Sequence, residues 1–559
     1  MYRLSILASL VALAYGHSIT YNVISAGPTD SVAVVVDNVK YPLSPSSVAP
    51  ILYTGEAPAA TKGYHYVRLH GNQVQDQESF TRKPVNEDTT NEFYNRTWNS
   101  REIRQFPKLL EDLPVFNRME SQLHVVGEIP TFYFSANQKQ IDNLHENSIA
   151  ENEVLTNLTY IRNNEVHQID GVEMQLSGRS SRWFPKLSYS LKLPKEQDLF
   201  GYRRLKLRAF ATDPSYIREQ LGYEILRSVG VPASYSSFAR VVVNDQPLGL
   251  FGLVEAFKNP WLKNEFAGGE KYDQGILFQG GGASVKSMLS KAPADLVYRG
   301  EDESQYVNYK IKEEPDEGEG EADRSRIVEF TKFLQNAPIT GSDAVEEWDQ
   351  HVDTQTVIRN MALEYLLGFV DGYITNADNY YLYDDPESQR FIYMSSDLDL
   401  SLGSSFKVLD TIFVNDYEKY PGFNYTNRPL LKLLKIPEVK KQFQDLLVKV
   451  ARELMVPNKI NPYIDELVNL IREDVDWDCT LPRVNANFDV STVFDPQHPD
   501  KVDGDDLFDG RVAEDMFNRV FHDHVPLRAA INGPTGHISL TSIKEWFARR
   551  SSGVLRTYA

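Results

Sequence analysis

The sequence contains almost no cysteine, no long apolar run beyond its N-terminus and no excess of positive charge. Cys479 is the only cysteine among 559 residues, so no intramolecular disulfide forms. No segment after the N-terminal stretch is apolar enough to cross a bilayer. The formal net charge of −20 opposes binding to nucleic acid and to anionic membranes. The length and composition predict a globular protein of two or three domains. Its negative charge is compatible with a basic protein partner.

The N-terminus and three short motifs predict export from the cell. Residues 1–16 carry Arg3, an apolar run and then small residues, which is typical of a signal peptide. Sequons for N-glycosylation occur at Asn95, Asn157 and Asn424. No apolar tail follows the last helical pattern, so we expect no GPI-type anchor. The expected location is extracellular, or the surface of a spore or cell.

Residues 17–100 predict a small all-β domain. Short runs rich in β-branched and aromatic residues are separated by Gly, Pro, Asn and Ser. The expected form is an immunoglobulin-like sandwich with an accessory or docking role. A polar stretch over residues 101–129 reads as the linker to the rest of the chain.

From residue 130 the pattern becomes mixed, and the fold class is α+β. Residues 171–210 read as three consecutive strands, and 213–230 as a helix capped by Asp213. Residues 238–257 read as a hairpin around an Asn-Asp turn. Amphipathic helices are predicted at 326–336, at 353–370 and repeatedly beyond residue 427.

A cationic window lies within this acidic chain. Residues 179–208 contain nine basic and two acidic side chains, a local charge of +7. Such a window favours an anionic ligand, for example a nucleoside triphosphate. The alternative is that most of these side chains form the solvated face of alternating strands.

The clearest chemistry lies in residues 371–403. A helix capped by Asp353 or Thr354 is predicted to end at Asp371 and Gly372, before a loop and two strands around the DDPESQ turn. The candidate side chains in this unit are one asparagine, Asn379, and three aspartates, Asp371, Asp397 and Asp399. Phosphoryl transfer needs such a set, with one Asp on the nucleophile and Asn and Asp on Mg²⁺. The alternative is a half-exposed strand with ordinary turn residues.

Several strings in this chain resemble the spore-coat protein H (CotH) kinase family. They are VDGY at 370–373, DNYYLY at 378–383, SDLDLSLG at 396–403 and SGRSSRWFPKLSY at 177–189. Val370 and Ser396 stand where Trp is usual in the family, and the loop before Asn379 is longer than in bacterial members. None of these departures removes a ligand. The resemblance covers roughly residues 130–550.

The resemblance implies an atypical two-lobed protein-kinase-like fold behind the β domain, with a small lobe over 130–260 and a large lobe over 261–559. It implies Asp371 as the catalytic residue and Asn379 and Asp397 as metal ligands. Asp399 is a second ligand or a structural hydrogen-bond partner. Asn376 rivals Asn379, because its distance from Asp371 matches the ordinary kinase catalytic loop.

The same resemblance implies contacts to the nucleotide. Lys186 is the expected phosphate contact, with Lys192 as runner-up and Arg182 in the same string. Glu224, with Glu219 as its competitor, is expected to pair with the sheet lysine as αC-type glutamates do. Glu255 is the candidate for an acidic contact on the adenine side of the nucleotide.

The function implied is that of a secreted fungal member of the family. It is an atypical Ser/Thr protein kinase that uses ATP with Mg²⁺, or Mn²⁺, on a basic or Ser-rich protein. Two other functions stay open. Some fungal members are surface invasins, so this chain is alternatively a non-catalytic binder of host or spore surface proteins. The third is a structural spore-coat component.

Overall fold

A computed structural model describes residues 17–281, 293–315, 323–488 and 510–559 of the chain. The predicted signal peptide, residues 1–16, lies outside the described residues. Within them the chain is mixed α/β and contains an N-terminal sheet, a closed β-barrel and a smaller four-stranded sheet packed with helices.

The N-terminal sheet contains seven strands in the order β6-β5-β2-β3-β4-β1-β7. They are β1 (Ser18–Ile24), β2 (Ser31–Val36), β3 (Val39–Pro45), β4 (Leu52–Pro58), β5 (Tyr64–His70), β6 (Gln73–Gln77) and β7 (Glu92–Phe93). Strand β3 pairs with β2 along most of its length and with β4 through its last two residues. The all-β prediction is confirmed, whereas the immunoglobulin-like form and the boundaries 17–100 and 101–129 stay predictions.

The barrel closes in the order β10-β11-β12-β14-β13-β8-β9. Its strands are β8 (Thr131–Ser135), β9 (Glu153–Arg162), β10 (Glu165–Leu176), β11 (Tyr189–Lys192), β12 (Arg204–Arg208), β13 (Ser236–Val243) and β14 (Gln246–Glu255). The three predicted strands and the predicted hairpin are confirmed as β10–β12 and β13–β14. Leu205 and Leu207 of β12 are buried in the barrel core, so the alternate residues of this strand face outward.

The four-stranded sheet has the order β16-β15-β17-β18 and lies beside the helices. Its strands are β15 (Leu277–Gly280), β16 (Tyr309–Glu313), β17 (Tyr380–Asp385) and β18 (Arg390–Ser395). Strands β17 and β18 form the hairpin predicted around the DDPESQ turn. One large hydrophobic core joins this sheet to the helices.

The described helices lie against the barrel or fill the C-terminal part. They are α1 (Gln138–Glu146), α2 (Arg218–Ser228), α3 (Trp261–Phe266), α4 (Ser325–Asn336), α5 (Ala344–Asp349), α6 (Thr354–Leu367), α7 (Tyr373–Asn376), α8 (Leu409–Ile412), α9 (Pro437–Val450), α10 (Pro457–Thr480), α11 (Gly510–Phe521), α12 (Leu527–Asn532) and α13 (Ile543–Tyr558). Short 3₁₀ turns span Ser180–Trp183, Glu303–Tyr306, Tyr417–Lys419 and Pro429–Lys435, and a π-helical turn spans Ala451–Met455. None of these helices combines the length and the apolar character needed to span a membrane.

Helix α2 begins later than predicted, and Asp213 is not its N-cap. Tyr216 has φ of 61°, a left-handed conformation that an α-helix does not tolerate, so the helix starts at Arg218. Asp213 nevertheless supports the start, because its carboxylate accepts a hydrogen bond from the Arg218 backbone N–H at 2.8 Å.

Helix α6 ends earlier than predicted. Its cap Asp353 accepts a hydrogen bond from the Thr356 N–H, as expected. The helix closes at Leu367 because Gly368 takes φ of 60° as its left-handed C-cap. Asp371 and Gly372 therefore lie in the connection between α6 and the short helix α7, rather than at the helix end.

Candidate active site

A cavity of about 420 Å³ lies between the outer face of strands β10–β12 and the four-stranded sheet. The loop 177–184 after β10 forms part of its wall. Eight cationic side chains line it: Arg179, Lys192, Arg204, Lys206, Arg208, Lys258, Lys310 and Lys312. Four acidic side chains line it as well: Glu173, Asp371, Asp397 and Asp399. The lining therefore carries more positive than negative charge in a chain of net charge −20.

One end of the cavity, here called the acidic end, contains Asp371, Asn379, Asp397 and Asp399. The β17–β18 hairpin brings these side chains together, because Tyr380 pairs with Ser395 at its open end. The Ser396 N–H donates to the Asn379 carbonyl at 2.9 Å, which extends the pairing by one step. The four residues expected as catalytic and metal-binding thus share one cavity.

Two of these residues have strained backbones. Asn379 has φ of 53° and Asp397 has φ of 59°. The left-handed region is uncommon for non-glycine residues, although Asn and Asp enter it more readily than others. Such strain is concentrated at functional sites.

Asp371 is held by both rival asparagines. Asn376 donates from Nδ2 to one carboxylate oxygen at 2.6 Å, and Asn379 donates to the other at 2.7 Å. Asn379 lines the cavity, whereas Asn376 is not part of its lining. Asn379 is therefore better placed than Asn376 to present its amide oxygen to a ligand.

Arg208 is the central cation of the acidic end. Its guanidinium pairs with Asp397 and lies 3.3 Å from a carboxylate oxygen of Asp399. Its Nε donates to Glu219 of α2 at 3.0 Å. The Thr212 hydroxyl donates to Asp399 at 2.8 Å. Arg208 therefore connects the barrel to α2 and to the segment after β18.

The surroundings of the three carboxyl groups lower the pKa of one and raise the pKa of the other two. Burial raises the pKa of Asp397, but Arg208, with Lys206 and Arg179, more than offsets this and holds that pKa below its ordinary value. Burial and then the neighbouring Asp397 raise the pKa of Asp399. Burial and then the charge of Asp378 raise the pKa of Asp371.

The donor types at the acidic end fit a hard divalent cation. Carboxylate and amide oxygens of Asp397, Asp399 and Asn379 are the ligands that Mg²⁺ prefers. Arg208 lies between the two carboxylates in this structure. In the described part of the chain, no group of three or more His, Cys, Asp or Glu side chains is arranged to hold a metal ion. A divalent cation held by both carboxylates would replace their contacts with Arg208.

The structure does not bring Lys186 into this cavity. Its buried ammonium pairs with Asp478 of α10 at 2.6 Å and donates to the Leu250 carbonyl. Burial lowers the pKa of Lys186 to about 8, although Asp478 opposes that shift. Lys192, the runner-up, lines the cavity but pairs with Glu173 at 2.6 Å.

The remaining nucleotide residues predicted from the sequence lie outside the cavity lining. Arg182 forms a two-bond ion pair with Glu151 at 2.8 and 2.9 Å, which anchors the loop after β10. Glu224 lies on the side of α2 that faces away from Arg208, where it lines a second depression of about 550 Å³. Its competitor Glu219 makes the helix-to-sheet ion pair, with Arg208 instead of a lysine.

Glu255 is buried at the end of β14 and is also absent from the cavity lining. It accepts a hydrogen bond from Asn264 at 3.0 Å. Burial raises its pKa well above the ordinary value, which favours the neutral acid. The next residues, Ala256, Phe257 and Lys258, line the cavity in its place.

Sequence reasoning did not single out Arg208 or Arg179, although both belong to the cationic window. The signal for Arg208 was present in the alternation RLKLR, which places Arg204, Lys206 and Arg208 on one face of β12. Arg179 pairs with Asp378 at 2.8 Å. No comparable local pattern marks that contact, since the two residues are 199 positions apart.

Residues 174–487 match the family described as CotH kinase protein. Invasin CotH3 of Rhizopus delemar is 25% identical over 510 residues, which cover 88% of this chain and 81% of that protein. Invasin CotH2 of the same organism is 25% identical over 84% of this chain and 76% of its own length. Inner spore coat protein H of Bacillus subtilis is 23% identical over 54% of this chain and 76% of its own length.

Among solved structures, the Helicobacter pylori proinflammatory kinase CtkA matches 52% of this chain and 93% of its own. The TM-score is 0.20 and the identity 11%. This likeness is too weak to define the fold.

Proposed function

This chain belongs to the CotH kinase protein family, and on that premise we propose that it is a two-lobed atypical protein kinase acting outside the cell. It transfers the γ-phosphate of ATP to Ser or Thr of a protein. The observation that carries the proposal is the cavity that combines the acidic end with a cationic lining. Hard oxygen donors and phosphate-binding cations in one cavity are the parts that phosphoryl transfer uses.

The roles divide among the residues of the acidic end. The acceptor hydroxyl oxygen attacks the γ-phosphorus, and the bond between that phosphorus and the oxygen it shares with the β-phosphate breaks, so that ADP leaves. The hydroxyl proton passes to Asp371. The raised pKa of Asp371 suits a group that takes up a proton near neutral pH. Asn379 and Asp397 are the residues that would hold Mg²⁺, with Asp399 beside them. The ion, when bound, neutralises charge on the phosphates.

Arg208 has two anionic partners in this mechanism, a carboxylate and a phosphate. In the structure it pairs with Asp397, which would be a metal ligand. With a divalent cation bound to that carboxylate, the guanidinium would be free to turn to a phosphate, while Glu219 would still hold its Nε. Arginine suits this exchange, because its planar fork binds carboxylate and phosphate equally well.

A second candidate function is surface binding without turnover. The two Rhizopus relatives named above are called invasins, and the Bacillus relative is a spore coat protein. The cavity is compatible with such a role, since a binding protein can retain a nucleotide site. Spore-coat structure is the third possibility.

The test compares Asp371→Asn and Asp397→Asn with wild type. Transfer of labelled phosphate from ATP with Mg²⁺ is measured to the protein itself and to a basic Ser-rich peptide. A carboxylate charge lost at about 4 Å from a cation costs about 4 kcal/mol at an effective dielectric of 20, or roughly a thousandfold in rate. Asp371→Asn is expected to lose turnover while nucleotide binding persists, because its role is with the hydroxyl.

Asp410→Asn serves as the matched control, because Asp410 is exposed and does not line the cavity. It is expected to transfer phosphate as wild type does. Binding to cell and spore surfaces is measured in parallel with the same proteins. Wild-type transfer by both site variants, or surface binding by a wild type that transfers nothing, rejects the kinase proposal in favour of the binding protein.

A further inference from the structure

Strand β12 carries a row of cations that extends far beyond the acidic end. Arg204, Lys206 and Arg208 alternate with buried leucines, so all three project from the outer face of the barrel into the cavity. Alternate residues of a strand are about 6.5 Å apart, so Arg204 and Arg208 are separated by about 13 Å. A triphosphate has only two P–O–P links and is shorter than this row.

Strand β16 of the four-stranded sheet and the segment after β14 add three more cations to the cavity lining. Lys310 and Lys312 alternate along β16, and Lys258 follows β14. Together with Lys206 and Arg204 they are called the lysine end of the cavity. None of the four lysines at this end forms an ion pair with another described residue. Within the described part of the chain, the lysine end is thus a group of cations that no carboxylate neutralises by direct contact.

Burial and the crowding of like charges lower the pKa of two of these lysines. Burial, followed by the neighbouring Lys258, Lys206 and Lys310, lowers the pKa of Lys312 to about 8. Burial, followed by Arg204, lowers the pKa of Lys258, with Lys206 and Lys192 acting in the same sense. Glu313 opposes both shifts without reversing them. An unliganded protein gains no stability from this arrangement, because mutual repulsion raises its free energy.

The position of the lysine end makes it unusual for a nucleotide site. If the transferred phosphate lies at the acidic end, the far end of the cavity receives the remote part of the donor. Small-molecule sites are lined mostly by apolar and aromatic side chains with few charges. Here Phe257 and Tyr381 belong to the lining, but eight cationic side chains belong to it as well.

We propose that the lysine end binds a second anionic group of the ligand, of the phosphate class, so that the cavity accepts a multiply charged molecule longer than a triphosphate. This inference rests on the proposed function and defines the ligand of the same site. The cavity volume of about 420 Å³ fits a small molecule rather than a folded partner. Two sources share this chemistry: a linear inorganic polyphosphate, and a nucleotide with an additional phosphate on its ribose.

The test measures dissociation constants calorimetrically on the full chain for two matched pairs of probes. Inorganic pentaphosphate is compared with inorganic tripolyphosphate, and adenosine 3′,5′-bisphosphate with AMP. Because it makes additional charge-assisted contacts, the longer or doubly phosphorylated probe is expected to bind at least about tenfold more tightly. The pair that shows the gain identifies the source.

The variant Lys258→Gln/Lys312→Gln is expected to abolish that gain, so that the longer and the shorter probe of the pair bind with equal affinity. It is also expected to raise the melting temperature of the free protein, because it removes repelling charges. A purely structural role of these lysines predicts a lower melting temperature instead. Lys195→Gln is the matched control, because Lys195 is exposed and lies outside the cavity.

Equal affinities within both probe pairs overturn the inference, and so does a double variant that keeps the gain. Phosphate transfer from ATP is measured on the same samples. If wild type transfers phosphate but shows no gain, the inference fails while the proposed function stands. If the lysine-dependent gain is present but no phosphate is transferred, the anion site stands and the kinase proposal fails.

Discussion

The hydroxyl of Tyr223 accepts a hydrogen bond from the backbone N–H of Asp397 at 3.2 Å. Tyr223 is buried on α2, one turn after Glu219, which binds Arg208. The same helix therefore contacts both members of the Arg208–Asp397 pair. Because α2 packs against α6 and β13, this contact couples the position of Asp397 to the packing of the barrel on the helical part.

Tyr223→Phe is expected to slow phosphate transfer about fivefold, because it removes the acceptor for the Asp397 N–H, worth about 1 kcal/mol. Binding of ATP is expected to change little, so the loss appears in kcat rather than in KM. Steady-state kinetics with ATP and Mg²⁺ measure this. Tyr235→Phe is the control, since its hydroxyl binds the Met119 carbonyl outside the cavity. A wild-type kcat in Tyr223→Phe contradicts the positioning role.

Lys186→Ala is expected to destabilise the fold rather than to weaken nucleotide binding alone. Removing the ammonium leaves the buried Asp478 carboxylate with Arg483 and the Tyr216 hydroxyl as its side-chain partners. Breaking one contact of a buried ion pair typically costs about 3 kcal/mol. Calorimetric melting curves measure the effect, with Lys195→Ala as the exposed control. An unchanged melting temperature with tenfold weaker ATP binding would instead restore the phosphate role expected from the sequence.

Glu364 makes the stability of the protein depend on pH. Its buried carboxylate accepts hydrogen bonds from the Ile374 N–H and the Tyr393 hydroxyl, both at 2.9 Å. Burial raises its pKa from 4.5 to about 7 despite these bonds. The folded state thus binds this proton more tightly than the unfolded state. The associated stability is complete below the unfolded pKa and is lost as the pH rises through about 7.

The unfolding free energy of Glu364→Gln, relative to that of wild type, is therefore expected to be about 2–3 kcal/mol higher at pH 8 than at pH 5. Glutamine imitates the protonated acid and does not titrate. Unfolding free energies of both proteins at the two pH values measure the difference. Glu438→Gln, on the exposed first turn of α9, is expected to show no such gain. Parallel pH curves for wild type and Glu364→Gln would refute the assignment.

Protein from a eukaryotic secretory host is expected to carry N-linked glycans at Asn95, Asn157 and Asn424. All three asparagines are exposed, so a transferase can reach them. Each Asn→Gln variant should increase gel mobility by one glycan, and peptide N-glycosidase should bring all forms to one position. Unchanged mobility after glycosidase treatment would count against the secretory route.

Much of the local structure and the acidic end were predictable from the sequence. Strand-forming runs between turn signals predicted β10 to β14 of the barrel, and apolar residues at helical spacing predicted α6 and α9. The residues of the acidic end lie within one helix–loop–hairpin unit, so short-range geometry is enough to bring Asp371, Asn379 and Asp397 together. The errors at the helix ends came from single residues, Tyr216 and Gly368, whose left-handed backbones are not encoded in periodicity.

Only the tertiary structure decided which cation meets the acidic end. Lys186 and Arg208 lie in the same cationic window, and composition does not distinguish them. The outward face of β12 directs Arg208 toward Asp397, 189 residues away, whereas Lys186 turns to Asp478, 292 residues away. Buried charges must find partners wherever packing places them. Those partners are set by how the barrel, α2 and α10 pack, which is a property of the whole fold rather than of any local pattern.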